Sequence, residues 1–344
     1  MKFFDLLVPC RTGEAEFLGL FVSIAMAETQ HTLAPVSRLE GGNTYAIGLV
    51  FVLLAGLCWS LGGLLFRLIS DANVWQVLFY RSVVLALTLV GIIAVINKGR
   101  LLRVLKEAGF TGIIAGFCMA LSSLTYISSL TFTTVANASF MVGSVPFFSA
   151  LLGWVLLREK VNFTLALAIA VAFCGIGLMV VNGFGGGKII GSLLALYASL
   201  AFACFTVLLR WNGKVDATPA VFWGGILLAL MCFPILLFPT TFDSGSGLSA
   251  FAISMRDIAI CATMGVVQVG LGLVLYTYGA KHLQAAELGL MTLVEPVIGT
   301  FWVWLIVNER PDVMTLIGGA IILAAIAGHA LSVIRKKKLP RSAL

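Results

Sequence analysis

The chain has 344 residues, 60% of them hydrophobic and only 11% charged, with a mean hydropathy of +1.07. A soluble domain carries roughly 25% charged residues, so this composition excludes a soluble globular protein and points to an integral membrane protein. The formal net charge of +7 does not mark a nucleic-acid partner, because the basic residues follow a topological pattern described below.

In chain order, residues 1–44 form a polar leader carrying both signs of charge. Its apolar piece, Phe17 to Met26, is too short to span. Ala25-Met26-Ala27 has the look of a signal-peptidase site, but Asp5, Glu14 and Glu16 precede it, against the clean basic start of a signal peptide. Ten apolar runs follow, at about 45–66, 74–96, 109–130, 133–156, 162–181, 189–209, 218–239, 259–279, 284–307 and 313–333. Each can cross a hydrocarbon core of about 30 Å as a helix. None alternates polar and apolar residues as barrel strands do.

With the N-terminus in the cytoplasm, seventeen basic residues fall inside and four outside, namely Arg67, Lys188, Arg256 and Arg310. That bias is the positive-inside rule, and it puts both termini in the cytoplasm. Residues 335–344 are then a basic cytoplasmic tail.

Residues 121–176 return, without a gap, at 271–326. Tyr126 matches Tyr276, Pro146 matches Pro296, Trp154 matches Trp304 and Glu159 matches Glu309. A weaker correspondence at an offset of 143 relates Arg67 to Arg210 and Trp59 to Phe202. The chain therefore reads as a first five-helix repeat over 45–182, a Gly-rich linker at 183–188 and a second repeat over 189–334. An odd number of helices sends the second copy in from the opposite side, which makes the repeats inverted. The fold expected is all-α, with ten transmembrane helices in two inverted five-helix repeats.

Six of the seven cysteines lie scattered in the apolar spans without a C-x-x-C pair, as packing residues rather than a metal or disulfide framework. The glycines Gly112, Gly116, Gly175, Gly177, Gly265, Gly270, Gly272, Gly318 and Gly319 are read as helix contacts within one monomer. No phosphate loop is present, since Ile189 follows Lys188 where Ser or Thr is required.

Three formal charges fall inside the spans: Arg81, Glu287 and Glu295. Each costs at least ~2.5 kcal/mol at the membrane centre, so each is a functional candidate by default. Glu295 lies about 16 Å from the cytoplasmic end of its helix, near the midplane. Pro296 after it frees a carbonyl one turn back. Its counterpart in the first half is Val145, so the repeat does not demand the acid. Arg81 sits about 10 Å from the outer side and is a candidate partner for Glu295 in an ion pair or in proton coupling. Glu287 lies near the cytoplasmic surface. Glu159 and Glu309 adjoin Arg158, Lys160 and Arg310 and are read as interface ion pairs. Trp59, Ser60, Tyr126, Asn137, Gln268, Tyr276 and Tyr278 are the remaining groups able to line a cavity. The three histidines form no H-E-x-x-H motif. No catalytic residue, metal or cofactor is expected.

The segments Thr134 to Phe140, Ser144 to Phe148 and Leu156 to Lys160, with Ala285 to Leu290, Leu293 to Val297 and Val307 to Arg310, resemble the drug/metabolite transporter superfamily in its EamA-type ten-helix form. Phe79-Tyr80-Arg81 and Cys58-Trp59-Ser60 resemble its second- and first-helix signatures. The resemblance covers about 45–334. It implies a basket of ten helices around a central cavity, with the fifth and tenth more peripheral. It also implies movement of small metabolites, frequently amino acids, commonly outward across the bacterial inner membrane. Branches of the superfamily that carry sugar phosphates recognise anions with basic residues on the late helices. Here the eighth and tenth spans have no Lys or Arg and the ninth offers Glu287 and Glu295, which argues for a zwitterionic, cationic or neutral solute.

The expectation is a transporter whose repeats rock around a midplane site lined by Trp59, Tyr126, Asn137, Gln268, Tyr276 and Glu295. Its partners are a small-molecule substrate and the lipid bilayer, with no nucleic acid, in a monomer or homodimer. A cationic drug or quaternary-ammonium exporter is the alternative within transport. An intramembrane enzyme or a sensor is the alternative outside it.

Overall fold

The computed structural model describes residues 43–96, 101–158, 163–184, 189–211, 217–237, 251–280 and 294–338. The leader, the linker residues 185–188, the acids Glu159 and Glu287 and the end of the tail lie outside them. The described residues form α1 (Asn43–Arg67), α2 (Val74–Ile96), α3 (Leu101–Phe132), α4 (Val135–Val142), α5 (Val145–Leu157), α6 (Phe163–Phe184), α7 (Ile189–Trp211), α8 (Thr218–Leu237), α9 (Met255–Thr263), a π-helical segment (Met264–Leu271), α10 (Gly272–Ala280), α11 (Val294–Val307) and α12 (Val313–Lys338).

Helices are the outcome the composition requires. In hydrocarbon every backbone N–H and C=O must find a partner inside its own segment. Among the described residues, eight stretches are long and apolar enough to cross a membrane, with α4 and α5 counted as one and α9 through α10 as another. The two shorter apolar helices, Val294–Val307 and Val313–His329, occupy the ninth and tenth positions read from the sequence.

Helix ends follow from local chemistry. Thr134 takes extended backbone and its hydroxyl accepts from the Asn137 amide, which starts α4. Ser254 does the same for Asp257 at the start of α9. Gly109, at φ 62°, adopts a left-handed conformation open to glycine and separates the first turns of α3, which hold Arg103 and Lys106, from its apolar body.

The repeat is visible in three dimensions. Arg158 after α5 and Asn308 after α11, 150 positions apart, are the two non-glycine residues with positive φ among the described residues, at 55° and 58°. Trp154 and Trp304 face outward, 55% and 49% exposed. Packing shows the same exchange of halves. Helix α3 packs on α7 and α8, while the α9–α10 rod packs on α1 and α2; α4 and α5 lie on α7 as α11 lies on α1. Helix α2 meets α8, α4 meets α11, and α6 meets α12. The α2–α8 and α6–α12 contacts map onto themselves, the α3 contacts onto those of the α9–α10 rod, and the α5–α7 contact onto that of α11 with α1, when first and second halves are swapped, which is a pseudo-two-fold relation.

The largest fully buried side chains include Leu78, Leu130, Met141 and Met264 from α2, α3, α4 and the π segment, and Met179 and Ile322 from α6 and α12. The core therefore lies between the halves. Outward faces are apolar as well, with Phe163 82% exposed, as a lipid-facing surface should be. Helices α6 and α12 contact each other through Gly175 and Gly318, where a Cβ on either would stand 2.8 Å from the other's carbonyl oxygen.

Most of the glycines picked out in the sequence are contacts of this kind, with two exceptions. A Cβ on Gly177 would meet nothing within 4 Å, and one on Gly112 would meet only Ala108 of its own helix. Gly265 offers a test. A Cβ there would stand 2.9 Å from a Val84 methyl and 3.0 Å from both the Arg81 oxygen and the Leu85 nitrogen. Gly265→Ala is therefore expected to cost about 1–3 kcal/mol of overpacking, read as a lowered melting temperature in detergent. Gly177→Ala should be neutral or slightly stabilising. Equal behaviour of the two would refute the contact.

The six described cysteines are free. Cys232 and Cys261 are fully buried, in keeping with a packing role, whereas Cys174 is exposed and packs nothing of the core.

Candidate functional site

The site lies where α1, α2, α3, α9–α10 and α11 converge. From α1, Trp59 stacks on Tyr276 of α10 at 5.2 Å between ring centroids, tilted by 40°. Gly272 makes this approach feasible, because a Cβ there would overlap the indole nitrogen of Trp59. One turn further along α1, a Cβ on Gly62 would lie 2.9 Å from Nε2 of Gln268. The same stretch of α1 also meets α11, where a Cβ on Gly299 would stand 3.2 Å from the Ser60 carbonyl oxygen.

The π segment gives Gln268 its aim. Gly265 and Gly270 both lean on α2; a Cβ on Gly270 would stand 3.1 Å from a Thr88 methyl. In an α-helix, residues five apart point about 140° away from each other at roughly 100° per residue. The i→i+5 hydrogen bonding of a π-helix brings them onto one side, and Gln268 is turned away from that side toward α1. The matching stretch of the first half, 114–121, runs within α3 without a break. This irregularity therefore belongs to the second half alone. Gln268 is 9% exposed, and its Oε1 is buried with no hydrogen-bond partner among the described residues.

Across from Gln268's helix, Arg81 of α2 is 6% exposed. It lies in electrostatic reach of the Tyr126 phenol and the Cys261 thiol. Tyr126 of α3 is hydrogen-bonded to the Ser139 side chain and lies in electrostatic reach of Glu295 and Arg81. Glu295 sits in the first turn of α11, just ahead of Pro296. Arg81 and Glu295 do not touch each other. The one ion pair among the described residues is Arg67 with Glu309.

Of the residues expected to line a cavity, the structure places Trp59 on Tyr276 with Gln268 one turn along α1, and Tyr126 in electrostatic reach of Glu295 and Arg81. Asn137 is placed elsewhere. It is buried at the start of α4, and its Nδ2 donates to Thr133 Oγ1 at 3.0 Å and to Ser192 Oγ at 2.8 Å. Both amide protons are spent tying α3, α4 and α7 together. The Ser60 hydroxyl donates to Leu57 of its own helix, and Tyr278 packs on Phe51 with centroids 4.6 Å apart. Glu287 lies outside the described residues.

Glu309 departs from its expected pairing. Its partner is not the adjacent Arg310 but Arg67, 2.7 Å away at the end of α1. Asn308 is left-handed and turns the chain as α11 ends. Glu309 Oε1 also accepts from the Val135 amide at the start of α4, and the Arg67 guanidinium donates to the carbonyls of Leu130 and Thr133. One acid and one base thus gather the ends of α1, α3, α4 and α11. At the same end Asp257, fully buried, accepts from the backbone amides of Ser70, Asp71 and Ala72. Ser254-x-x-Asp257 before an apolar run is a recognisable helix-start pattern and is the signal that marks this residue. Arg67 carried no such signal, since its partners are up to 242 positions away.

A model of the EamA-like transporter family matches the chain twice, over residues 46–181 and 189–330. The chain belongs to the EamA-like transporter family. It is a multi-pass membrane transporter, and a small-molecule substrate and a lipid bilayer are its expected surroundings. Among EamA relatives, the uncharacterized transporter YdfC of Bacillus subtilis is 26% identical over 59% of this chain and 64% of its own length, a match to somewhat under two thirds of that relative. The pseudopaline exporter CntI of Pseudomonas aeruginosa is 24% identical over 62% of this chain and 72% of its own. An uncharacterized transporter of Pseudomonas aeruginosa is 25% identical over 86% of this chain and 97% of its own. A solved crystal structure shares the fold at a TM-score of 0.57 and 18% identity, over 85% of this chain and 99% of the other.

Proposed function

We propose that this transporter exports a small zwitterionic or neutral metabolite such as an amino acid, by alternating access of the two repeats about the site between them. The observation that carries the reading is Glu295: a membrane-embedded acid that makes no ion pair among the described residues and lies beside the Tyr126 phenol. Such an acid is costly to insert, and a cationic group of a solute, or a proton, relieves that cost. The Trp59–Tyr276 pair adds an apolar wall, and Gln268 adds an amide with an open acceptor. A relative named as an exporter supports the outward direction. The charge bias of the loops supports an inner-membrane placement with both termini cytoplasmic.

Glu295→Gln in proteoliposomes is the direct test. Loss of one charge-assisted contact, about 1.5–3 kcal/mol, corresponds to a roughly 10–100-fold fall in flux with insertion intact. The pH dependence of flux should vanish with it. Wild-type flux in this variant at every pH would remove Glu295 from the mechanism.

The tilted Trp59–Tyr276 pair also favours a second reading, a quaternary-ammonium exporter, since aromatic faces attract such cations. Flux of a choline-like cation exceeding that of any zwitterion would select it. Conversion of a solute without net movement would instead select an intramembrane enzyme.

A further inference from the structure

A guanidinium cannot shed its proton to escape burial, and buried charges are held by partners. Arg81 is 6% exposed, yet among the described residues the groups in its electrostatic reach are the Tyr126 phenol and the Cys261 thiol, both neutral at ordinary pH. Asp257, one turn before Cys261 on α9, is no counter-ion for it. Its two oxygens are taken by the backbone amides of Ser70, Asp71 and Ala72. Glu295 is not in ion-pair contact either; Tyr126 stands in reach of both charges. Among the described residues the site therefore has a positive and a negative group that do not pair with each other, with the Tyr126 phenol in electrostatic reach of both and the open acceptor of Gln268 on the helix that packs against α2 at Arg81.

We propose that Arg81 is the residue that takes a carboxylate of the transported solute, while Glu295 takes its ammonium group, so that the site selects zwitterions over neutral and purely cationic molecules. This rests on the transport reading above and sharpens it by assigning the second pole. The Arg81 fork suits a carboxylate because two parallel N–H donors match its two oxygens. Gly265 serves the same end indirectly, by letting α9 and the π segment close on α2 at the Arg81 carbonyl.

The experiment uses the full chain in proteoliposomes with a panel of radiolabelled L-amino acids, each paired with its carboxamide and its decarboxylated amine. The quantity measured is the ratio of acid flux to carboxamide flux within one protein preparation, so that losses of folding or reconstitution cancel. In the wild type the ratio is expected to be about tenfold or more. Arg81→Gln should bring it to about one. Arg81→Lys, which keeps the charge and spares the fold, should leave an intermediate value because the two-pronged geometry is gone. A wild-type ratio near one, or a ratio unchanged in both variants, overturns the assignment while leaving transport standing. If the folded wild type moves no member of the panel, the export reading itself falls and this assignment with it.

Discussion

Replacing Asp257 by alanine is expected to cost the protein about 3–5 kcal/mol, the range for removing one partner from a buried charged network. The carboxylate is fully buried and accepts from the amides of Asp71 and Ala72 at 2.9 Å and of Ser70 at 3.2 Å. Alanine leaves three backbone donors of the α1–α2 turn without an acceptor, next to the first turn of α9. Nothing replaces them, because Ser254 is already engaged with the Asp257 amide. Asp257→Asn keeps one oxygen and should lose only about 1–3 kcal/mol. The two variants, compared by the fraction of monodisperse protein surviving a heating series in detergent, should rank wild type, then Asn, then Ala. An alanine variant as heat-resistant as the wild type would show that the turn finds its acceptors elsewhere.

Glu309→Gln should act on conformation more than on folding. Arg67 and Glu309 are 24% and 19% exposed, sheltered enough for their contact to count. The acid also holds the Val135 amide. Loss of the charge is expected to weaken this end of the bundle by about 2–3 kcal/mol, or roughly 30–100-fold in the population of any state that lacks the clasp. Cys261, fully buried near Arg81, reports that population. With the other cysteines replaced, its labelling by a membrane-impermeant thiol reagent should accelerate by that order in the Gln variant. An unchanged labelling rate with a lowered melting temperature would make the pair a brace of the fold and not a gate.

The sequence was legible wherever a feature depended on near neighbours or on the repeat. Composition and apolar run length located the helices, because hydrocarbon leaves the backbone no other economical solution. The 150-residue register carried over to geometry at Arg158 and Asn308, and at Trp154 and Trp304. What stayed hidden depended on lateral placement. Depth along a helix follows from counting residues, but which helix faces which does not. Arg81 and Glu295 lie at similar depths by residue count, and they form no ion pair with each other. Asn137 looked like a lining residue and is a tie between three helices. Glu309 looked like the partner of its neighbour and reaches Arg67. The π winding was equally hidden, since the residues at 264–271 read as an ordinary apolar helix and only the spacing of Gly265 and Gly270 against α2 shows the change in pitch.

The contacts of α2 with α8 and of α6 with α12 map onto themselves when the halves are exchanged. In oligomers this is the property of an isologous interface, in which the same patch meets itself across a two-fold axis. The chain is in that sense a dimer of five-helix subunits, one turned over in the bilayer relative to the other and joined end to end. Joining them has a consequence that a true homodimer is denied. In a homodimer any residue placed near the axis appears twice, so a carboxylate at the midplane would face its own copy. Here Glu295 can stand opposite the chemistry of Val145, and a two-fold shell can enclose a site with one acidic and one basic end.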